Sequence, residues 1–226
     1  MQKRAILGAV AILVIIAAFV TSVLVFGDKS GEVEQLAGVE IREYEGKDLS
    51  SVNDFRENSI KGPQHVDLET YRLEVTGLVE EPAVYTCDQV IGDYDSYQKV
   101  VRLNCVEGWA VNILWEGVLV SDILDESGVL GEAVTIIFHA EDGYTTSFPV
   151  EYIMDNPIIM AYKMNDVTMP AERGFPFQLV AESKWGYKWI KWITRIELSA
   201  DASYEGYWES RGYANDADLD KGYFGD

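Results

Sequence analysis

The hydrophobic positions of this chain form two kinds of pattern. Residues 5–26 are a continuous run without a charged residue, which at helical rise spans about 33 Å, enough for the hydrocarbon core of a membrane. Later apolar segments are shorter, and YRLEVT (71–76) alternates apolar with polar residues, the period of a half-buried strand. The pattern therefore predicts one membrane-spanning helix followed by a domain that contains β-structure.

The part of the chain beyond the apolar run is predicted to be of the α+β class. Further strands are predicted at residues 134–139 and in PIIMAY (157–162), FQLV (177–180) and WITRIEL (192–198). Short helices are predicted at residues 121–124, with Ser121 as the cap, and in FPVEYIM (148–154), where Pro149 suits a helix start. Short strands and helices without regular βαβ alternation are typical of the α+β class.

The chain is predicted to have four parts. Residues 1–27 are a membrane anchor, 28–54 an acidic tether, 55–200 a single folded domain, and 201–226 an aromatic and acidic C-terminal arm. Lys3 and Arg4 precede the apolar run, so the positive-inside rule puts the domain on the extracytoplasmic side of the cell membrane, on a single-pass anchor. A cleaved signal peptide is the alternative, although its apolar region is usually shorter.

The composition excludes several classes of protein. The formal net charge is −20, which opposes nucleic-acid binding because phosphate contacts require clustered Lys and Arg. The sequence contains no P-loop, no G-x-S-x-G motif, no paired-cysteine metal motif and only two histidines, His65 and His139. The common nucleotide, hydrolase and zinc sites are therefore not expected.

A cluster of basic residues interrupts this acidic sequence between residues 173 and 195. It contains one acid, Glu182, and five of the chain's 18 basic residues, which are Arg173, Lys184, Lys188, Lys191 and Arg195. Tryptophan and tyrosine residues alternate with the lysines at 184–192, a combination that suits an anion beside a flat ring. A solvated strand face is the plain alternative. A site for single-stranded nucleic acid is another, and the overall acidity opposes it.

The two cysteines, Cys87 and Cys105, leave three interpretations open. In an oxidising compartment a disulfide between them is the default. Cys105 also shares the parity of Val101 and Leu103, so it lies on the apolar side of a predicted strand and fits a core position. Thirdly, a thiolate binds soft metals. Together with the basic cluster and the lack of a histidine cluster, this suggests a metal carried by a phosphorylated organic cofactor.

Five sequence blocks resemble the molybdopterin-binding domain of the sulfite oxidase family. They are CVEGWAVNILWEG (105–117), DGYTTSFPVEYI (142–153), AYKMNDVTMPAERGFPFQLV (161–180), KWGYKWIKWITRIEL (184–198) and GYWESRGY (206–213). The blocks follow the family's order and the likeness covers roughly residues 55–213. It is greatest for the bacterial and archaeal branch that includes the catalytic subunit of protein-methionine-sulfoxide reductase. The resemblance implies mixed β-sheets with short helices.

The resemblance also implies a cofactor and its contacts. The cofactor is molybdenum held by the dithiolene of a molybdopterin, with Cys105 as the thiolate ligand of the metal and hence the catalytic residue. No ligand role is implied for Cys87. Cofactor contacts are implied in four stretches, by Asn58 and Ser59, by His139 and Ala140, by Arg173 and Gln178, and by Lys188, Trp189, Ile190 and Lys191.

Two departures from the family pattern bear on the site. Arg173 stands where the family usually has His or Asn, and Gln178 stands where it usually has Arg, so positive charge has moved within this turn. Sulfite oxidases proper follow their cysteine with an arginine-bearing run, whereas Cys105 is followed by Glu107. A carboxylate beside the metal repels sulfite, which makes sulfite oxidation the less favoured activity.

These features predict a membrane-anchored, extracytoplasmic molybdenum-pterin oxidoreductase that catalyses two-electron oxygen-atom transfer. The expected reaction is the reduction of a small S-oxide or N-oxide, with electrons exchanged with a membrane cytochrome or a diffusible carrier. Oxidation of sulfite or another small sulfur compound is the alternative within the same chemistry. A cofactor-free binding module on the same fold and a thiol-based redox protein that uses Cys87 and Cys105 are alternatives of other classes.

Overall fold

The computed structural model of the protein describes residues 39–225. The predicted membrane anchor and residues 28–38 of the predicted tether lie outside this range. Between residues 39 and 225, no helix combines the length and the apolar character that crossing a membrane requires.

Short strands provide most of the regular structure, and a few short helices accompany them. The strands are β1 (Glu43–Tyr44), β2 (Lys47–Asp48), β3 (Leu73–Gly77), β4 (Ala83–Tyr85), β5 (Tyr97–Asn104), β6 (Ala110–Leu119), β7 (Thr135–Ala140), β8 (Thr145–Pro149), β9 (Ile159–Met164), β10 (Val167–Thr168), β11 (Gln178–Val180) and β12 (Ile193–Ser199). The α-helices are α1 (Cys87–Asp93), α2 (Val120–Ser127) and α3 (Val150–Met154). Turns of 3-10 helix occur at Ala171–Arg173, Gly186–Lys188 and Glu209–Arg211.

Ten of these strands form two five-stranded sheets, and β1 pairs with β2 in a separate hairpin. The first sheet has the order β10-β9-β6-β5, with β11 also paired to β9. The second has the order β4-β3-β12-β7-β8, in which β12 runs parallel to β3 and antiparallel to β7. The sheet that contains β12 is therefore mixed, because β12, the last strand of the chain, pairs in parallel with the early strand β3.

The burial pattern of the strands shows how the two sheets share one core. Leu73 and Val75 of β3 are buried, as are Ile196 and Leu198 of β12, and the residues between them are more exposed. β6 lies inside the first sheet and is buried along most of its length, so its sequence shows little alternation. Apolar side chains of both sheets belong to a single hydrophobic cluster.

The predicted fold class, mixed sheets with few short helices, is confirmed. The strand predicted at 134–139 corresponds to β7, and WITRIEL corresponds to β12. Pro149 occupies the N-cap position of α3. The predicted cap Ser121 is wrong, because α2 begins at Val120 and Leu119 is its N-cap without a side-chain hydrogen bond. The helix follows β6 directly, which leaves no room for a polar cap at Ser121.

Residues 39–54 belong to the predicted tether, and the structure packs them against the folded domain. Glu40 Oε1 accepts hydrogen bonds from the Val52 backbone N–H at 2.8 Å and from Asn165 Nδ2 at 3.0 Å. Leu49 and Val52 are buried. The domain in the structure therefore includes a segment that its acidic composition alone assigns to a linker.

Candidate active site

A cavity of about 570 Å³ lies beside the end of β5. Small-molecule and cofactor sites typically have volumes of roughly 300–1,000 Å³, with apolar walls and a few convergent polar groups. Eight of the predicted site residues line this cavity: Asn58, Ser59, Cys105, Arg173, Gln178, Trp189, Ile190 and Lys191. The fold therefore brings together residues that are up to 133 positions apart in the chain, from Asn58 to Lys191.

Cys105 lies in a tight turn immediately after β5. Its backbone N–H donates to the carbonyl of Trp109 at 2.9 Å, and its carbonyl accepts from the N–H of Gly108 at 3.1 Å. Gly108 has a φ of 88°, which a glycine adopts without strain. The Cys105 side chain is 8% exposed and lines the cavity, so the turn directs a thiol into the cavity wall.

The Cys105 thiol is free, and so is the thiol of Cys87. The disulfide interpretation is therefore wrong for this structure: Cys87 begins α1 and is buried there. Burial raises the pKa of the Cys105 thiol, and the backbone N–H of Glu107 opposes this shift. A bound metal cation deprotonates such a thiol.

A small hydrogen-bonded group surrounds the thiol. Asn58 Nδ2 lies 3.6 Å from Cys105 Sγ and 3.4 Å from Glu107 Oε2. The indole N–H of Trp109 donates to the same Glu107 oxygen at 3.1 Å. These bonds, with the one from Trp109 as the larger cause, lower the pKa of the Glu107 carboxyl. An ionised carboxylate therefore stands at the cavity, two residues from the thiol.

Two polar side chains of the cavity wall are placed to meet a ligand. Ser59 Oγ is buried and has no hydrogen-bond partner within the described residues, although buried polar atoms are normally paired. Gln178 is buried at the start of β11. The lack of a side chain at Gly174 allows Gln178 and Lys191 to pack closely against the backbone there. A Cβ at position 174 would lie 2.9 Å from Lys191 Cβ and 3.1 Å from Gln178 Cβ.

Lys191 is the cavity residue that best fits the predicted anion contact. Its Nζ forms an ion pair with Glu57 Oε1 at 2.6 Å and lies 4.3 Å from the centroid of the Trp192 ring. Burial lowers the pKa of Lys191, and the bond to Glu57 opposes this shift. The Lys191 ammonium group is therefore partly buried beside the Trp192 ring and is paired with the Glu57 carboxylate in this structure.

Arg173 also lines the cavity, but its guanidinium group has bonds elsewhere. Nε donates to the carbonyl of Val52 at 2.8 Å and an Nη donates to the carbonyl of Phe55 at 2.7 Å. The guanidinium also lies 3.8 Å from the centroid of the Phe55 ring. Arg173 therefore holds the segment that leads to Asn58 in place.

Trp189 and Ile190 are buried parts of the wall. Trp189 Nε1 donates to the carbonyl of Lys184 at 3.1 Å, and its ring packs on Trp115 with the centroids 5.6 Å apart. The carbonyl of Ile190 accepts from the N–H of Leu179 at 2.9 Å. Both residues shape the cavity through packing and backbone bonds.

Three predicted contacts do not line the Cys105 cavity. Lys188 is fully buried and forms an ion pair with Glu209 at 2.7 Å, so its ammonium group already has an internal partner. His139 and Ala140 line a separate groove. There His139 Nε2 lies 2.8 Å from Glu197 Oε2, and an Nη of Arg195 lies 3.0 Å from His139 Nδ1.

Several residues that line the cavity were not among the predicted cofactor contacts. Tyr144 and Tyr187 are joined by a hydrogen bond from the Tyr144 hydroxyl to the Tyr187 carbonyl, at 2.5 Å. Trp208 and Tyr213 also line the cavity and come from the C-terminal arm. Their occurrence in the block GYWESRGY (206–213) is the sequence signal that could have identified them.

The residues present fit the cofactor that the resemblance implies. A free thiol offers one metal ligand, and Ser59 Oγ, the Asn58 and Gln178 amides and the Lys191 ammonium group offer bonds to a polar, phosphate-bearing molecule. The unpartnered Ser59 hydroxyl is the independent sign, because a buried donor without a partner costs free energy that a ligand would recover.

Comparisons with known proteins agree with this fit. Residues 60–208 match the family described as the oxidoreductase molybdopterin binding domain. The uncharacterized oxidoreductase YuiH of Bacillus subtilis (strain 168) is 32% identical over 152 residues, which is 67% of this chain and 76% of YuiH. YedZ1 of Azospira oryzae, named as a protein-methionine-sulfoxide reductase subunit, is 33% identical over 151 residues, 66% of this chain and 56% of that protein.

The fold has a counterpart among solved structures. The sulfane dehydrogenase SoxCD of Paracoccus pantotrophus superposes with a TM-score of 0.63 at 26% identity, over 71% of this chain and 44% of that chain. The chain thus spans about half the length of YedZ1 and of the SoxCD chain.

Proposed function

Because this chain belongs to the family of oxidoreductase molybdopterin-binding domains, we propose that it reduces a neutral S-oxide or N-oxide by two-electron oxygen-atom transfer. The observation that carries this proposal is the free Cys105 thiol in a cofactor-sized cavity, next to Asn58 and Glu107. The family membership predicted from the five sequence blocks is confirmed, and so is the class of enzyme, a molybdopterin-binding oxidoreductase.

The roles of the residues follow from their positions. When bound, the molybdenum-pterin cofactor supplies a redox centre that exchanges two electrons and accepts an oxygen atom. Cys105 would provide the protein thiolate of the metal. Ser59 and Gln178 would bond the pterin, and Lys191 would balance the charge of its phosphate. Arg173 would keep the Asn58 segment in position.

The reaction is proposed to run in the direction of reduction. In that direction the bond from sulfur or nitrogen to the oxide oxygen breaks, the sulfur or nitrogen gains two electrons, and the oxygen leaves as water after taking up two protons. An external electron carrier provides the two electrons. Glu107 favours a neutral substrate, because its ionised carboxylate beside Cys105 opposes the approach of an anion such as sulfite.

Two alternatives are kept because specific observations favour them. The likeness to SoxCD, which is named a sulfane dehydrogenase, supports oxidation of a small sulfur compound. The internal Glu57–Lys191 ion pair supports a cofactor-free binding module, since the basic residue already has a partner. Metal content and the direction of turnover separate these alternatives from the proposal.

We also propose the location and the partner. The apolar run at 5–26 and its flanking charges support a single-pass anchor in the cell membrane with the domain on the extracytoplasmic side. The similarity to YedZ1, named as a subunit of a reductase, supports an electron-donating partner. A membrane cytochrome or a diffusible carrier fits this role, and the net charge of −20 favours a carrier with a basic surface.

The first test is the metal and pterin content of the full-length protein, purified in detergent from a host that makes molybdopterin. We expect about one molybdenum per chain by mass spectrometry, loss of the metal in Cys105→Ser, and no loss in the matched control Cys87→Ser. A wild-type protein that is folded and free of both molybdenum and pterin would overturn the proposal and favour the binding module.

The second test is the direction of turnover. Reduced methyl viologen is supplied with dimethyl sulfoxide, methionine sulfoxide or trimethylamine N-oxide, and ferricyanide is supplied with sulfite in a parallel assay. We expect viologen oxidation with at least one oxide, at a rate that exceeds sulfite oxidation. If the loaded enzyme oxidises sulfite and reduces none of the oxides, the proposed direction is wrong.

A further inference from the structure

The C-terminal arm, residues 201–225, folds back onto the domain after β12. The Tyr207 backbone N–H donates to the carbonyl of Thr145 in β8 at 2.9 Å, and the Tyr204 hydroxyl donates to Thr145 Oγ1 at 3.1 Å. The match to the family ends at residue 208. Residues 209–225 lie beyond this match, although the block GYWESRGY that resembles the family extends to Tyr213.

The arm supplies an aromatic wall to the Cys105 cavity. Trp208 and Tyr213 both line it, with their ring centroids 5.3 Å apart, and Tyr213 packs against Tyr187 at 5.0 Å. Trp208 is 36% exposed, so part of its indole ring is accessible to a bound molecule. A second aromatic pair, Phe55 and Trp109, lines the same cavity, with centroids 5.6 Å apart.

A buried ion pair fixes the arm next to this wall. Lys188 Nζ lies 2.7 Å from Glu209 Oε1, and the Lys188 and Glu209 side chains are 1% and 0% exposed. Glu209 directly follows Trp208, so the ion pair restrains the backbone that carries the indole. The loop that holds Lys188 also contains Tyr187, whose hydroxyl donates to the Ala214 carbonyl at 2.8 Å, one residue after Tyr213.

We propose that Trp208 and Tyr213 are specificity-determining residues that favour oxides bearing an aromatic or other apolar group, and that the Lys188–Glu209 pair positions them. The substrate part rests on the proposed function, because it concerns the same cavity and the same reduction. The physical basis is contact between aromatic faces and an apolar substituent, which strengthens binding without an effect on the redox step.

The test compares Trp208→Ala and Tyr213→Ala with Tyr97→Ala, an exposed aromatic of β5 that does not line the cavity. Molybdenum content is measured first, and kcat/KM is then measured for methyl phenyl sulfoxide and dimethyl sulfoxide with reduced viologen. We expect the preference for the aryl substrate to fall about tenfold in the cavity variants, mainly through KM. Tyr97→Ala is expected to keep the wild-type preference.

A binding measurement makes the wall testable without turnover. Methyl phenyl sulfone, which resembles the aryl sulfoxide, is titrated into the full-length protein by calorimetry, and Trp208→Ala is expected to weaken its binding about tenfold. Loaded variants that keep the wild-type preference and the wild-type sulfone affinity would overturn the inference. A wild-type protein that binds the sulfone but reduces no oxide contradicts the proposed function alone.

The positioning role is tested with Glu209→Gln, which keeps the shape of the side chain and removes its charge. We expect a reduced aryl preference with unchanged molybdenum content and an unchanged kcat for dimethyl sulfoxide. If the variant is unstable, Lys188→Met combined with Glu209→Leu replaces the whole pair by apolar groups. A variant that is folded and keeps the full aryl preference shows that the ion pair does not position the wall.

Discussion

Replacing Lys188 with methionine is expected to destabilise the domain strongly. The Lys188 ammonium group donates to Glu209 Oε1 and to the Ser147 carbonyl, both at 2.7 Å. Methionine fills the space of the lysine stem but leaves a buried carboxylate whose remaining hydrogen-bond donor is Thr146 Oγ1 at 2.6 Å. The second carboxylate oxygen is already without a partner among the described residues. Breaking a buried pair in this way costs about 3–5 kcal/mol.

Thermal unfolding of the full-length protein, followed by circular dichroism, measures this cost. Each kcal/mol lowers Tm by about 2–4 °C in a domain of this size, so the expected fall is about 6–20 °C. Adding Glu209→Leu should recover most of the loss. A fall of less than about 2 °C, or a double variant no more stable than Lys188→Met, would refute the reasoning.

Three further predictions concern other parts of the domain. Gly117→Ala should lower the free energy of unfolding by about 1–3 kcal/mol or more, since the new Cβ would lie 2.2 Å from a carbonyl of β9; Gly92→Ala, with nothing within 4 Å, is the control, and equal effects would contradict this. Burial lowers the pKa of His139, and the charge of Arg195 lowers it further. The unfolded state therefore binds more protons than the folded state below pH 6.5, and the stability decreases as the pH decreases in that range. In urea titrations His139→Gln should lose less stability than the wild type between pH 7.5 and pH 5, and an equal loss would exclude this contribution. Burial raises the pKa of the Cys87 thiol to about 12, so iodoacetamide at pH 8 should leave Cys87 unmodified until the protein is denatured, and rapid labelling of the native protein would show that the thiol is accessible.

The strands and the metal-ligand candidate could be predicted from local features of the sequence. β7 and β12 are short runs rich in β-branched and apolar residues. Such runs favour the β-strand conformation where one face of the strand can be buried. Cys105 stood out because an acid, a glycine and a tryptophan follow it in a family-specific order. The cap of α2 was missed, because Ser121 has the right chemistry for an N-cap but lies one residue inside the helix.

The basic cluster shows where local reasoning fails. Its five basic residues lie between Arg173 and Arg195 in the sequence, yet the structure gives each of them a different environment. Lys188 pairs with Glu209, which is 21 residues away, and Lys191 pairs with Glu57, which is 134 residues away. Arg195 contacts His139 on the neighbouring strand. A buried charge requires a partner, and no pattern in the sequence identifies a partner at such separations.

The sequence by itself determined the family, the α+β class and the thiol that can bind a metal, because these depend on short motifs and on the period of apolar residues. Only the tertiary structure decided which lysine faces the cavity and which one fixes the arm. Lys188 and Lys191 lie three residues apart on one loop, and the backbone directs one into the core and the other into the cavity. The tertiary structure also placed Trp208 and Tyr213 at the site, because the arm lies against β8, the edge strand of the second sheet, where the Tyr207 N–H donates to the Thr145 carbonyl.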